Sequence, residues 1–569
     1  MKYLPLAMCC LGLQSAWAQN VTHTEFLGRV SDHAATVQLF FDADAEMHVQ
    51  YGPATGQYDF QTGWQLFPAG EPAEVIMDSL QANSTCFYRV QFRAPGGTNI
   101  TTRTEHSFRT AKPSQSPFTF IVQADPHMDE QSDTAIYQRC LLNQQADNPD
   151  FIIDMGDIIM TDKLKNANNV VTPDTIHWRT EFMRSYYEAI SHSIPMYLVL
   201  GNHEGETGWN NDGTADNFAV WSTLERTKYF LNPSPDDFFS GDNTEFEFVG
   251  RREDYYAWHW GDALFMVLDP YWNTEVKPDS LHGWRWTLGE TQYNWMKSTL
   301  ESSQATYKFV FCHQLVGGSP EGRGGIEYSD LYEWGGNNLD GTSGFDTNRP
   351  GWYAPIKRIL MENEVTIFFH GHDHFFAKQE RDCLIYQECP QPSHPNFSNA
   401  NSAADYGYVE GLILPNSGHL RVNVDPLGVN VEYVRVYKSE DESSTRHNGD
   451  ISASYFIPAG NCYDTLQSGI PMIWNTDYMD ELVYPNPFNE TVRIAFDMMA
   501  ADEISINVFD EQGQLIRQLV RNTPVSQGRF TVMWDGRDDG DMDMSNGVYH
   551  FAVSAHGRKL TAGRIVLNK

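Results

Sequence analysis

Five short apolar runs in this 569-residue chain each stop at residues of metal-ligand type. FTFIVQA (118–124) ends in Asp125-Pro126-His127, and FIIDM (151–155) ends in Gly156-Asp157. MYLVL (196–200) leads into Gly201-Asn202-His203-Glu204. YKFVFC (307–312) ends at His313, and VTIFF (365–369) ends in His370-Gly371-His372-Asp373-His374. Runs of this length, rich in Val, Ile and Phe, have the pattern of strands buried on both faces. In open α/β sheets, ligands collect just beyond the carboxyl ends of such strands. A single Asp-x-His says little, but five ordered endings require a fold that gathers five strand ends.

The length predicts two to four domains, since one core rarely serves so long a chain. The formal net charge of −36 argues against nucleic acid as a stable partner and against anionic membrane. An anionic substrate would therefore need a local positive focus, which a pair of divalent cations can supply. Lys2, the apolar stretch Leu4 to Leu13 and Ala16-Trp17-Ala18 predict a signal peptide over residues 1–18, and hence export to the cell surface or medium. Leu6-Ala7-Met8-Cys9 offers a lipoprotein alternative, which Met8 suits poorly. No later stretch is apolar for long enough to predict a membrane span. Cleavage would leave six cysteines, of which Cys383 and Cys389 are close enough to pair, while Cys140 and Cys312 read as buried thiols.

Residues 21–112 are β-rich with Gly, Pro and Asn turns, as in a sandwich. Residues 116–460 carry the five endings, with helical spacing over Thr134 to Gln145 and Glu290 to Leu300, so an α/β core is expected. The stretches Thr161 to Thr175 and Trp209 to Gly261 exceed ordinary loop lengths. Val429 to Tyr437 alternates as a strand with one slip at Tyr433-Val434. The polar run Ser439 to Asn448 reads as an exposed loop or linker. After a linker at 461–480, residues 481–569 form a turn-rich β segment containing Tyr484-Pro485-Asn486-Pro487, Trp534-Asp535-Gly536 and Asn546-Gly547-Val548-Tyr549.

Carboxylate, amide carbonyl and imidazole donors suit Mn, Fe or Zn. The order Asp-x-His, Gly-Asp, Gly-Asn-His-Glu, His and Gly-His-x-His resembles the calcineurin-like metallophosphoesterase superfamily. That resemblance implies a four-layer core, a β-sandwich flanked by helices, with two divalent metal ions at the strand ends. It places Asp125, His127 and His374 on one ion and Asn202, His313 and His372 on the other, with Asp157 bridging. It also implies that His203 meets the substrate, where it would hydrogen-bond the phosphoryl group or protonate the leaving oxygen, with Asn202 beside it. Glu204, next in sequence, reads as the carboxylate that orients the His203 imidazole. The Gly-rich segment after His313 makes Arg323 a candidate phosphate clamp, an exposed turn being the alternative. Asp154 reads as a buried hydrogen-bonded residue and Asp269 as a strand-end turn.

The N-terminal layout resembles the fibronectin-III-like domain of purple acid phosphatases. Those enzymes carry Asp-x-Gly first and a tyrosine three positions after the bridging aspartate; here His127 and Met160 stand there, so the ferric-tyrosinate chromophore is not expected. The C-terminal segment resembles the sorting domain of the type IX secretion system, which would make the secretion machinery a partner. An ordinary Ig-like module is the alternative. The expected activity is hydrolysis of phosphate esters by attack of a metal-bound hydroxide. Phosphomonoesterase activity leads, with phosphodiesterase or nucleotide hydrolysis next. An inactive secreted binding module ranks last, because no ligand position is lost.

Overall fold

A computed structural model describes residues 19–166, 170–459, 482–498, 502–510, 514–526, 528–555 and 558–569. The expected signal peptide and the expected linker at 461–480 lie outside the described residues. Three of the five apolar runs become parallel neighbours: Phe118–Gln123 pairs with Phe151–Asp154, which pairs with Met196–Leu198. Three antiparallel strands, Gly418–Asp425, Gly428–Arg435 and Ile451–Pro458, complete that six-stranded sheet. The other two runs, Tyr307–Phe311 and Ile367–His370, are parallel neighbours in an eight-stranded sheet. Parallel pairing matters because it points the carboxyl ends of neighbouring strands the same way.

The two sheets face each other across an aromatic core. Phe120 meets Phe265 edge to face at 5.1 Å and Phe309 at 5.3 Å, and Phe151 meets Phe265 at 5.1 Å. All four rings are buried, so the runs read as continuously apolar. Helices Thr134–Ala146 and Pro173–Tyr187 cover the outer face of the six-stranded sheet through Tyr137, Leu141, Met183 and Tyr187. Helices Glu290–Ser302 and Ile356–Glu362 cover the other sheet through Tyr293, Met296, Ile359 and Leu360. The result is the expected four-layer α/β core with sheet-rich segments at either end.

The slip at Tyr433-Val434 is a register shift in the pairing of Gly428–Arg435 with Ile451–Pro458. Because that last strand returns to the same sheet, Ser439 to Asn448 is a hairpin loop of the core and not an interdomain linker. Arg139 of the first helix holds it through Glu442 at 2.7 Å. The long stretch after Trp209 contains a helix, Phe218–Tyr229, capped by Asn217.

In the N-terminal segment, Val21–Gly28, Ala35–Phe41 and Ala73–Met77 form one sheet, and Ala45–Gly52 and Thr85–Arg93 centre another. This segment sits on the core: Tyr88 donates to the His192 carbonyl at 2.7 Å, and buried Arg184 donates to Gln38 at 2.7 Å. At the other end, two further sheets enclose a separate core around Trp534, Ile506 and Phe551. The proposed Cys383–Cys389 pair does not form. Cys389 is a free, buried thiol, as are Cys86, Cys140 and Cys312, whereas Cys383 is disulfide-bonded. No described helix is long and apolar enough to cross a membrane.

Candidate metal centre

The five strand ends converge. Asp125, His127, Asp157 and His374 bring ligand atoms within 4.8 Å of one another, as do Asp157, His313 and His372. Asp157 belongs to both groups. His313 Nε2 lies 3.2 Å from Asp157 Oδ2 and 3.7 Å from Asp125 Oδ1, while His374 Nε2 lies 3.5 Å from Asp125 Oδ1. His127 Nε2 is 3.6 Å from both carboxylates.

Most of these side chains are tied at one atom and free at another. Asp125 Oδ2 accepts the His372 N–H at 2.9 Å, while Oδ1 is buried without a hydrogen-bond partner. Asp157 Oδ1 accepts the His203 N–H at 2.7 Å, while Oδ2 is buried without one. His313 Nδ1 donates to the Met155 carbonyl at 2.7 Å, leaving Nε2 unpartnered. His127 Nδ1 faces Asp129 at 3.5 Å and its Nε2 is unpartnered, as is the buried Oδ1 of Asn202. His372 spends Nε2 on the Glu321 carbonyl at 3.0 Å. A buried polar atom left unpaired costs roughly 1–3 kcal/mol, so four gathered in one cluster, with Asn202 on the neighbouring turn, are the mark of a ligand to come. Two divalent cations fit this oxygen and nitrogen donor set.

The backbone is bent to serve the cluster. Asp125, His127, Asp157, His372 and His374 all have φ between 50° and 79°, the left-handed region that side chains avoid. Such residues cost of order 1–3 kcal/mol each and persist where surrounding bonds over-determine them. Gly156, at φ 100°, allows a close approach, since a Cβ there would run into the Gly201 backbone.

Charge is concentrated here. Burial opposes ionisation of Asp157, but His313 and His203 outweigh it and hold the carboxyl well below its ordinary range. Burial likewise opposes charge on His313, yet Asp157 and Asp125 push it up to about 9. Burial and then the His127 charge push His374 down to about 4.

His203 lies beside the cluster with Nε2 4.0 Å from Asp157 Oδ2, and its Nδ1 donates to Asp162 Oδ1 at 2.6 Å. Glu204 does not orient that imidazole, contrary to expectation. Its buried carboxylate accepts backbone N–H groups from Asp157 at 2.9 Å, Ile158 at 2.7 Å, Ile159 at 3.2 Å and Gly201 at 2.5 Å. The turn after Asp157 exposes those donors inside the protein, and a carboxylate is the acceptor that satisfies them all. Arg323 also departs from the clamp expected of it. Its Nη1 donates to the His372 carbonyl at 2.8 Å and to Asp373 at 3.0 Å, and its guanidinium stacks 4.3 Å over Tyr406. It therefore braces the His372–His374 loop.

Asp154 is buried, accepting from Gln123 at 2.5 Å and Tyr187 at 2.8 Å, and Asp269 pairs with buried Arg252 at 3.1 Å. His370 meets Glu388 at 2.7 Å behind the ligand loop. The sequence reading missed Asp129, Asp162 and His394. Asp129 extends the alternation of Asp125 and His127, a signal that was present, whereas nothing in the spacing marks Asp162.

Residues 118–376 match the family model of the calcineurin-like phosphoesterases. The match spans less than half of the chain and marks that stretch as similar to the calcineurin-like phosphoesterases. Its fold agrees: a purple acid phosphatase from yellow lupin (Lupinus luteus) seeds superposes with a TM-score of 0.52 at 15% identity. That similarity covers 78% of this chain and 75% of the lupin protein. The structure of PhoD superposes with a TM-score of 0.53 at 13% identity, covering 77% of this chain and 90% of that one. No curated protein matches the chain. Residues 485–559 match the FlgD Ig-like domain model, so the C-terminal segment beside the phosphoesterase domain is Ig-like.

Proposed function

We propose that the phosphoesterase domain is a dinuclear metal-dependent phosphomonoesterase. In this reading Asp125, His127 and His374 hold one ion, Asn202, His313 and His372 the other, and Asp157 bridges them. The observation that carries it is the set of buried donor atoms left without partners, with Asp157 common to both groups. Bound there, two divalent cations supply Lewis-acid charge and lower the pKa of water toward 7. Mn, Fe and Zn all suit the donors.

The chain supplies the rest. Asp162 accepts the Nδ1 proton of His203, which fixes the ring and presents Nε2 beside the cluster. From there His203 contacts the phosphoryl group or gives a proton to the departing alkoxide. Asn202 serves the metals and the substrate from the same turn. Glu204 acts through the backbone, holding the Asp157 turn in place.

A specific observation favours a second reading, phosphodiester hydrolysis. Arg323, the expected monoester clamp, is already engaged by Asp373. A panel of mono- and diesters assayed on metal-reconstituted protein decides between them: monoesters are expected to show the higher kcat/KM, and a diester preference refutes the first reading. The leader and the Ig-like tail support export, with the tail as a type IX sorting signal and the N-terminal segment as a fibronectin-III-like domain. Deleting residues 481–569 is then expected to abolish surface delivery in the host while sparing activity. Loss of activity in the purified truncated protein would refute the sorting role.

A further inference from the structure

His374 of the metal cluster also lines a cavity of about 260 Å³. His374 and Asp373 line it together with the loop carrying His394, Asn396, Asn399 and Asn401. Gln131 and Asn416 also line it, but Asn416 is committed, donating to the His374 carbonyl at 2.6 Å and accepting the Gln391 N–H at 2.9 Å. Asn396 and Asn399 bond within their own loop, which leaves Gln131 and Asn401 as the lining amides without a side-chain hydrogen bond, each able to donate and to accept. That is the complement of hydroxyl groups, which also donate and accept. Among the described residues, no Lys or Arg lines the cavity. Arg323 lies behind the lining, against Tyr406 and paired with Asp373.

His394 adds a fixed donor. Its Nδ1 accepts the Asn396 N–H at 3.0 Å, and a backbone N–H can only donate, so the neutral ring carries its proton on Nε2. Asn401 makes no capping bond to the short helix it precedes, so its amide is not committed there. The volume falls below the ~300–1,000 Å³ typical of drug-sized ligand pockets, so the cavity suits one ring-sized group.

We propose that this cavity is the leaving-group subsite and that it selects monophosphates of neutral polyols, a hexose phosphate or a smaller sugar phosphate, over nucleoside polyphosphates. The proposal rests on the phosphoesterase reading above. It follows from charge as well as shape: trailing phosphates would enter a chamber without a cation, in a chain of net charge −36.

The test compares kcat/KM for glucose 1-phosphate, ADP and p-nitrophenyl phosphate in the metal-loaded full chain, its Asn401→Ala variant and its His394→Phe variant. Glucose 1-phosphate is expected to be used better than ADP. The ratio of kcat/KM for glucose 1-phosphate to that for p-nitrophenyl phosphate is expected to fall roughly five- to tenfold in each variant, the size of one neutral hydrogen bond. An unchanged ratio in both variants, or a preference for ADP, overturns the subsite. Failure to hydrolyse any of the three esters would instead overturn the phosphoesterase reading itself.

Discussion

Replacing Glu204 by Gln separates a backbone clamp from a catalytic carboxylate. Each oxygen of Glu204 accepts two backbone N–H groups, Ile158 and Ile159 on one, Asp157 and Gly201 on the other. Burial and the Asp157 charge raise this carboxyl, but four donors leave neither oxygen a place for a proton. Gln keeps the shape and turns one oxygen into an NH2 group that faces two N–H donors. Two buried donors left unpaired cost roughly 1–3 kcal/mol each, so a loss of about 2–6 kcal/mol is expected. A domain is stable by only about 5–15 kcal/mol, so the change is large. Urea unfolding of the metal-free protein measures it without any contribution from bound ions. Metal analysis should then show weakened binding, because the Asp157 turn is released. If metal-free Glu204→Gln unfolds like the native chain while kcat falls, Glu204 works on the reaction and the clamp argument is wrong.

Asp157→Asn is expected to lower the content of both ions, since it removes the carboxylate common to both groups; a full complement by elemental analysis refutes the bridge. His203→Ala should keep both metals and lose roughly 10²–10⁴-fold in kcat, with a smaller loss for esters whose leaving group needs no proton. If this variant loses metal, His203 is a ligand. Asp154, pushed up to about 7 by burial, gives a pH test. An unfolded Asp titrates near about 3.9, so between that pH and about 7 the folded state holds the extra proton and stability falls as pH rises. Asp154→Asn removes this slope, so the variant should gain on the native chain between pH 4 and pH 8 in urea unfolding; a constant difference refutes it.

The strand ends were legible because burial on both faces leaves an uninterrupted apolar run, and because the ligand types follow it at once. Even the bulge at Tyr433-Val434 showed as a broken alternation. What escaped was held by polar contacts. The helix Phe218–Tyr229 buries Ser222, Thr223 and Arg226, with Thr223 and Arg226 bonded to Glu206, so it has no continuous apolar stripe to read. Glu204 was misassigned for a related reason. Its neighbour in sequence is an imidazole, but its partners are backbone N–H groups that appear only once the turn is built. Asp162 reaches His203 from a separate loop, and no spacing rule encodes such a meeting.

The division of labour within each ligand bears on metal removal. Asp125, Asp157 and His313 each spend one polar atom on the backbone and keep the other for the cluster. The left-handed turns are therefore braced by backbone N–H groups that donate to Glu204, Asp125 and Asp157. Chelation should accordingly abolish activity yet leave the fold intact. The metal-free protein is expected to keep its far-UV and near-UV circular dichroism and to regain activity on adding metal, with no slow refolding phase. Its stability should be lower, because ions that bind only the folded state stabilise it by mass action, about 2.7 kcal/mol at a hundred times Kd. The two buried carboxylates would repel each other less once cations are present, which adds to the same direction. If chelation instead unfolds the domain, the ions hold the turns together and the bracing bonds do not suffice.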